Sequence, residues 1–238
     1  IMTEKMGCCG LDCGDCDYRE QTECGGCQES GGQPFHGECK TAKCCLARGL
    51  RHCGECDDFP CSLVKGNAFH PEHGDNGGML IRLANAAGKP ILGTNLICQI
   101  GLVCRDVEAA AAAWAKLLSV PTPKIIQSGK IEDSRAELWG NPCPARCKQA
   151  FFNCGQVQIE LIQPDDEPSV WRDIMEERGE GLHHIAFDIK QGMKETCAML
   201  STLGWPVMQK GEYTGGRYAY IDARKDLKLI LELLENDS

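Results

Sequence analysis

No apolar run in this 238-residue chain approaches the roughly 20 residues that a membrane-spanning helix needs, which argues against a membrane protein of the helical kind. Basic charge is also short. Lys and Arg number 25 against 34 Asp and Glu, a formal net charge of −9, whereas a general nucleic-acid binder carries a basic footprint. The opening IMTEKMGCCG lacks the apolar centre of an export signal, so a cytoplasmic location is expected. Large apolar residues are scarce among the N-terminal cysteines, and a region so poor in core material needs another source of cohesion to fold.

Cysteine is what the chain has in excess, and its placing divides the chain. Twelve of the 18 cysteines fall between Cys8 and Cys61, and the rest are scattered. In a chain without an export signal, dense cysteines point to metal ligands rather than disulfides, because the cytosol keeps thiols reduced. Two domains are therefore expected: a cysteine-rich, metal-stapled one over residues 1–95 and a different one over 96–238. The Gly-, Pro- and Asn-containing segment 88–95 is the linker.

In the first domain the spacing is C-x3-C-x2-C at Cys9, Cys13 and Cys16, then C-x2-C at Cys24 and Cys27. C-x4-C follows at Cys39 and Cys44, and C-x2-C-x4-C at Cys53, Cys56 and Cys61. Two thiolates from one tight loop can reach a single tetrahedral ion that a second loop closes, and flanking residues such as Gly10, Asp15, Gly25 and Gly54 form turns. CGLDCGDC, ECGGC, CKTAKC and CGECDDFPC resemble the cysteine-rich bacterial DUF3795 family, over most of residues 8–87. That resemblance supplies no activity. Zinc is the expected staple and an iron–sulfur cluster its rival, since spacing alone does not choose the metal. Cys8 and Cys45 fall outside the pattern and read as free thiols. His36, His52, His70 and His73 can join such sites but read first as solvated side chains, with AFHPEHGDNGG a polar loop before a short helix, MLIRLANAAG.

The second domain carries an internal repeat. ICQIGLV (97–103) reads as a buried strand, and DVEAAAAAWAKLLS as a helix capped by Asp106. KIIQ is a short strand, and QAFFNCG with VQIELIQP a hairpin turning near Gly155. Between Ser128 and Arg146 a long loop or a poorly formed strand is expected, and SVWRDIMEERG is a connecting helix stopped at Gly179. The pattern then recurs: the strand LHHIAFDI, the helix MKETCAMLSTLG, and three strands, PVMQKGEY, RYAYID and LKLILELLE. Each copy has a polar residue of ligand type in its first strand, Gln99 or His184, and a glutamate inside its last apolar run, Glu160 or Glu232. Since side chains alternate along a strand, only one of His183 and His184 is expected to face inward, and matching HIAF to QIGL selects His184.

Two tandem βαβββ units with these residues resemble the vicinal oxygen chelate superfamily over residues 97–235, most clearly in GEGLHHIAFDI and GGRYAYIDARKDLKLILELLE. They are most similar to its methylmalonyl-CoA epimerase and lactoylglutathione lyase (glyoxalase) branches. Gln99, where the epimerases usually have His, is closer to some glyoxalases. The resemblance implies an α+β fold in which the two units form a curved half-barrel sheet around a divalent metal. The implied ligands are Gln99, Glu160, His184 and Glu232. Such a set suits Zn, Ni, Co or Mn. It also implies a homodimer and a small-molecule substrate: a 2-oxo acid, thiol adduct or acyl-CoA. The implied reaction is a metal-assisted isomerisation, epimerisation or lyase step next to a carbonyl, with Glu160 or Glu232 as the base.

Taken singly, each of these residues has a plainer reading, because a Glu in an apolar strand can be an edge residue and a strand His is more often core. Their matching positions in a duplicated unit favour the site. Arg217, after Gly215 and Gly216, can meet an acidic substrate group or be a surface residue at a hairpin. Asn153 and Gln158 line the hairpin without a clear role, Trp114 and Trp139 read as packing and loop residues, and Cys143 with Cys147 forms a minor C-x3-C pair. A metal-free small-molecule binding protein of the same fold is the alternative. A ring-cleaving dioxygenase is disfavoured because Gln99 stands where its iron site has a His.

Overall fold

Contacts in the computed structural model, which describes residues 5–14, 16–190 and 192–237, divide the chain into two units. One is Ile1–Gly93 with Lys194–Leu203, the other Thr94–Met193 with Gly204–Ser238. The opening IMTE and the turn residue Asp15 lie outside the described residues. The first boundary falls in the Gly/Pro/Asn segment read as a linker. The second domain does not run unbroken from residue 96, however. Segment 194–203 groups with the first unit because its Met199 is buried in the same apolar cluster as Val64, Met79, Leu80 and Leu83.

The first unit is a set of short helices: α1 (Asp17–Gln21), α2 (Gly26–Glu29), α3 (Lys40–Ala47), α4 (Ser62–Ala68) and α5 (Gly78–Ala86), with a 3-10 turn at Cys53–Glu55. Neither α1 nor α2 buries a residue, as expected of four- and five-residue pieces without an apolar stripe. The centre is α5, the helix read in MLIRLANAAG, which buries Met79, Leu80, Ile81, Leu83 and Ala84. The cysteine turn lies directly on it. A Cβ at Gly54 would sit 2.3 Å from the Leu83 carbonyl oxygen, so glycine is what permits this approach.

The second unit is one curled half-barrel sheet of ten strands. They are β1 (Gln99–Val103), β2 (Ile126–Gln127), β3 (Glu137–Leu138), β4 (Asn141–Pro142), β5 (Cys147–Asn153), β6 (Gln158–Pro164), β7 (Gly181–Asp188), β8 (Val207–Tyr213), β9 (Gly216–Asp222) and β10 (Ile230–Asn236). The order is β2-β5-β6-β1-β7-β10-β9-β8-β3-β4. Each copy of the repeat therefore has the same internal order, with its first strand beside its last, then its third, then its second. The first strand runs parallel to the last in both copies, and the copies join back to back through antiparallel β1 and β7. Segment 128–146 is more structured than a loop. It holds the one-turn helix α7 (Ile131–Ser134) and the β3–β4 pair, and β3 pairs with β8 at the far edge of the sheet.

Helices cover both faces, because strand alternation gives each face its own apolar set. On one face α6 (Val107–Leu118) buries Val107, Ala111 and Ala115 in a cluster with Phe152, Ile159 and Leu161. On the other the connecting helix α8 (Val170–Arg178) puts Val170, Trp171, Ile174 and Met175 in a cluster with Val103, Ile162, Tyr220 and Ile230. Two helices remain, α9 (Met193–Ser201) and the single turn α10 (Arg224–Leu227). Among the described residues no helix is long and apolar enough to cross a membrane.

Asp106 caps α6 as its sequence position requires, its Oδ1 accepting from Ala109 N at 2.9 Å. Replacing it with Ala removes a partner for an otherwise orphaned helix N–H. The expected cost is about 1 kcal/mol, read as a lower urea midpoint, with Asp106→Ser close to wild type.

Candidate metal centre

Strand register gathers the four polar residues of the repeat. Gln99 lies opposite Ala186, and Ala186 opposite Glu232. One pleat away, Gly101 lies opposite both Glu160 and His184. Residues two apart on a strand share a face, so these two rows deliver all four side chains to one face of the sheet. His184 Nε2 is 2.9 Å from Glu232 Oε2, 3.4 Å from Glu160 Oε2 and 3.3 Å from the Gln99 amide. Exposures are 6 % for Gln99, 3 % for Glu160, 0 % for His184 and 3 % for Glu232, so the group is sealed from bulk solvent. Among the described residues, Glu160, His184 and Glu232 are the one set of three His, Cys, Asp or Glu whose ligand atoms all lie within 4.8 Å of one another.

Gly101 makes this convergence possible. A Cβ there would lie 2.0 Å from His184 Cε1 and 2.5 Å from Nε2, so the imidazole occupies the space a side chain would take. The signal was present in QIG as a glycine inside a strand, which often marks close approach by another group. Gln149 and Gln158 complete the surroundings. Gln149 Nε2 donates to Glu160 Oε1 at 2.5 Å, and the amides of Gln99 and Gln158 meet at 2.7 Å.

His183 corrects the alternation argument. A β-bulge interrupts the β1–β7 ladder, with Gly101 opposite His184 but Leu102 opposite Leu182, and the extra residue is His183. Instead of facing away, its ring is buried with that of His184, the two Nδ1 atoms 2.9 Å apart. Its Nε2 has no hydrogen-bond partner, and its ring lies edge-on to Tyr220. Tyr220 in turn accepts a 3.0 Å hydrogen bond from Trp171 Nε1. The connecting helix thus reaches the site through two aromatic rings.

Burial, and then the neighbouring Glu232 carboxylate, push the Glu160 carboxyl up to about 7, against the opposing pull of His184. Burial alone would lower the His184 imidazole, but the Glu232 and Glu160 carboxylates outweigh it and its pKa rises. For a divalent ion the donor set fits. The Gln99 amide atom nearest the carboxylates is 2.9 Å from Glu232 Oε2 and 3.2 Å from Glu160 Oε2. With its oxygen turned that way, three oxygens and one imidazole nitrogen converge as acceptors that a cation can hold together. With its nitrogen turned that way, it donates to both carboxylates.

Other residues singled out in the sequence lie elsewhere. Arg217 is not brought to the centre. It sits opposite Glu235, three residues along β10 from Glu232 and so on the other face, and is paired to Glu235 at 3.2 Å and Asp237 at 2.7 Å. Cys143 and Cys147 are buried in the α8 cluster as packing residues. His70 and His73 are exposed and stack on each other, and His36 is exposed. His52 instead is buried, with neither ring nitrogen hydrogen-bonded. Cys8 and Cys45 are buried core residues of the first unit. Cys9, Cys13 and Cys16 lie before and at the start of α1, Cys24 and Cys27 at α2, Cys39 and Cys44 at α3, and Cys53, Cys56 and Cys61 from the 3-10 turn to α4. Among the described residues no three of these thiols come within 4.8 Å of one another.

Two outcomes follow. Gly101→Ala forces its methyl into the His184 ring and is expected to cost about 1–3 kcal/mol by overpacking, measured by chemical denaturation, and to lower metal affinity in the same protein. The second concerns pH. Glu160 and His184 both have raised folded-state pKa values, so each favours the folded state while protonated, and that contribution is lost as pH rises through the folded value. Metal-free protein should therefore lose thermal stability as pH rises from about 4.5 to about 7. Added Zn or Mn should raise the midpoint more at the upper end of that window, as scanning calorimetry at each pH will read.

A family profile described as Glyoxalase/Bleomycin resistance protein/Dioxygenase superfamily matches residues 98–220, just over half of the chain. A second, described as a protein of unknown function (DUF3795), matches residues 5–66. The uncharacterized protein YqjC of Bacillus subtilis (strain 168) is 33 % identical over 144 residues, which are 59 % of this chain and 92 % of that protein. Among solved structures, hypothetical protein BH1468 from Bacillus halodurans C-125 is 19 % identical with a TM-score of 0.43, covering 60 % of this chain and 94 % of the other. Methylmalonyl-CoA epimerase from Mycobacterium tuberculosis is 18 % identical with a TM-score of 0.42, covering 61 % and 92 %.

Proposed function

Since the chain belongs to the glyoxalase/bleomycin resistance protein/dioxygenase superfamily, we propose that its second unit is a metal-dependent isomerase, epimerase or lyase acting next to a carbonyl. The substrate class is a small 2-oxo acid, a thiol adduct or an acyl-CoA. The observation that carries this reading is the buried convergence of Gln99, Glu160, His184 and Glu232 from four strands onto one point.

Those four residues would hold the ion, with zinc, nickel, cobalt and manganese the metals that suit three oxygens and one imidazole. A bound divalent cation supplies Lewis-acid polarisation of a carbonyl oxygen, which acidifies the adjacent C–H. The two carboxylates are not equivalent. Glu232 is pinned by its 2.9 Å contact with His184 Nε2, whereas Glu160, 3.4 Å from that nitrogen and held by Gln149, is the carboxylate that would leave the ion to accept and return a proton, since a bound cation lowers a carboxylate's pKa. The proton leaves the carbon beside the carbonyl for the Glu160 carboxylate. In an isomerisation it returns from Glu160 to the neighbouring carbon, whereas in an epimerisation Glu160 keeps it and a second acid, for which Glu232 is the candidate, delivers a proton to the opposite face of the carbon. His183, in contact with His184 Nδ1, fixes the ring so that Nε2 faces the carboxylates.

One observation favours a second reading, a metal-free binding protein. A protonated His184 between two carboxylates closes the network without a cation. Metal content decides between them. Full-length protein purified anaerobically without added metal is compared with His184→Ala/Glu232→Ala by elemental analysis. The double variant should lose about one divalent ion per chain. Equal content in the two proteins would leave the binding reading standing. Glu160→Gln should retain fold while losing α-proton exchange in heavy water, followed by NMR with acyl-CoA epimers and 2-oxoaldehyde–thiol adducts.

A further inference from the structure

The first unit has a cavity of about 150 Å³ whose lining includes five thiols: Cys44, Cys45, Cys53, Cys56 and Cys61. We propose that this cavity holds an iron–sulfur cluster ligated by Cys44, Cys53, Cys56 and Cys61. The inference is independent of the chemistry assigned to the second unit.

Three separate elements present these thiols to one space. Cys44 projects from α3, Cys53 opens the 3-10 turn and Cys56 closes it, and Cys61 is the N-cap of α4. The distances between thiols decide the kind of occupant. A single tetrahedral ion with bonds of about 2.3 Å draws its thiolates to about 3.8 Å of one another. No three thiols among the described residues meet even within 4.8 Å, although a ligand set that tight is formed in the second unit. Thiols standing apart around an open volume suit a polynuclear core, which places one thiolate at each of several irons and fills the space between them with inorganic sulfide.

The fifth thiol is set apart by its hydrogen bond. Cys45 Sγ donates to the Leu50 carbonyl at 3.4 Å, which needs the proton that a ligand must lose. Cys56 shows the opposite polarity. Arg48 Nη1 donates to Cys56 Sγ at 3.0 Å while also pairing with Asp58 Oδ2 at 2.7 Å. A guanidinium held against a ligand sulfur offsets part of the negative charge of a four-thiolate cluster, and hydrogen bonds to ligand sulfurs are among the levers that set cluster potential. Phe59 and Val64 supply apolar wall to the same cavity.

The test uses the full-length chain, purified anaerobically and reconstituted with ferric iron and sulfide under a thiol reductant, against protein given zinc alone. The expected result is iron and acid-labile sulfide in matching amounts, with a broad visible band that dithionite bleaches. Cys56→Ser and Cys61→Ser should each lose one cluster's worth of iron and sulfide, while Cys154→Ser, exposed in the second unit, should lose none. Arg48→Ala should keep the cluster but change the potential at which the band bleaches. Stoichiometric zinc that iron and sulfide cannot displace in wild type overturns the proposal, whatever the variants do. Undiminished iron and sulfide in both ligand variants overturns it as well.

Discussion

The contact on which the second unit depends is that between the His184 imidazole and the bare backbone of Gly101. It lies at the seam where two copies of a βαβββ unit become one sheet. Without a glycine on β1 the ring has nowhere to go, since any Cβ would overlap it. With the ring seated there, Nε2 comes within reach of glutamates on β6 and β10, the strands flanking the seam pair. The repeat matters for the same reason. In each copy the last strand runs parallel to the first, so the glutamate, two residues beyond the register partner of the seam residue, comes to the same face in both copies.

Sealing two carboxylates and an imidazole away from water is expensive unless their charge is balanced. The fold balances it locally. Glutamines from β5 and β6 meet the outer atoms of Glu160 and Gln99, and a second histidine meets the far side of His184. The raised pKa of Glu160 records what is left over: in the absence of a cation, the cheapest neutraliser is a proton. Helix α8 completes the enclosure through the Trp171–Tyr220 hydrogen bond.

The first unit solves the problem of cohesion differently. Its apolar resource is essentially one helix, α5, with two shorter helices and several thiols packed about it. Cys8 and Cys45, which belong to no spaced pair, serve as small core residues, consistent with the apolar behaviour of buried thiols. Several spaced cysteines sit at helix caps and turns, Cys39 and Cys61 as N-caps and Cys53 and Cys56 at the 3-10 turn, where side chains from different elements converge.

Much of this was legible from residue order alone. Turn formers, the alanine-rich helix with its Asp106 cap, and above all the duplicated pattern specified the elements and their succession, because these are local properties of the chain. The four residues of the centre were also legible, since each sits at the same place in its copy. What local reasoning could not supply was anything set by pairing across strands. Strict alternation turned His183 outward, whereas a bulge that exists only in the β1–β7 ladder turned it in. The same rule left Arg217 a possible partner for a substrate, whereas its pairing opposite Glu235 fixed it on the other face. Segment 128–146 carries too little apolar periodicity to announce strands, and it acquires them only by pairing at the far edge of the sheet. Spacing grouped the cysteines, but the distances between their sulfurs, which decide what they can hold, depend on how three helical segments pack around one cavity.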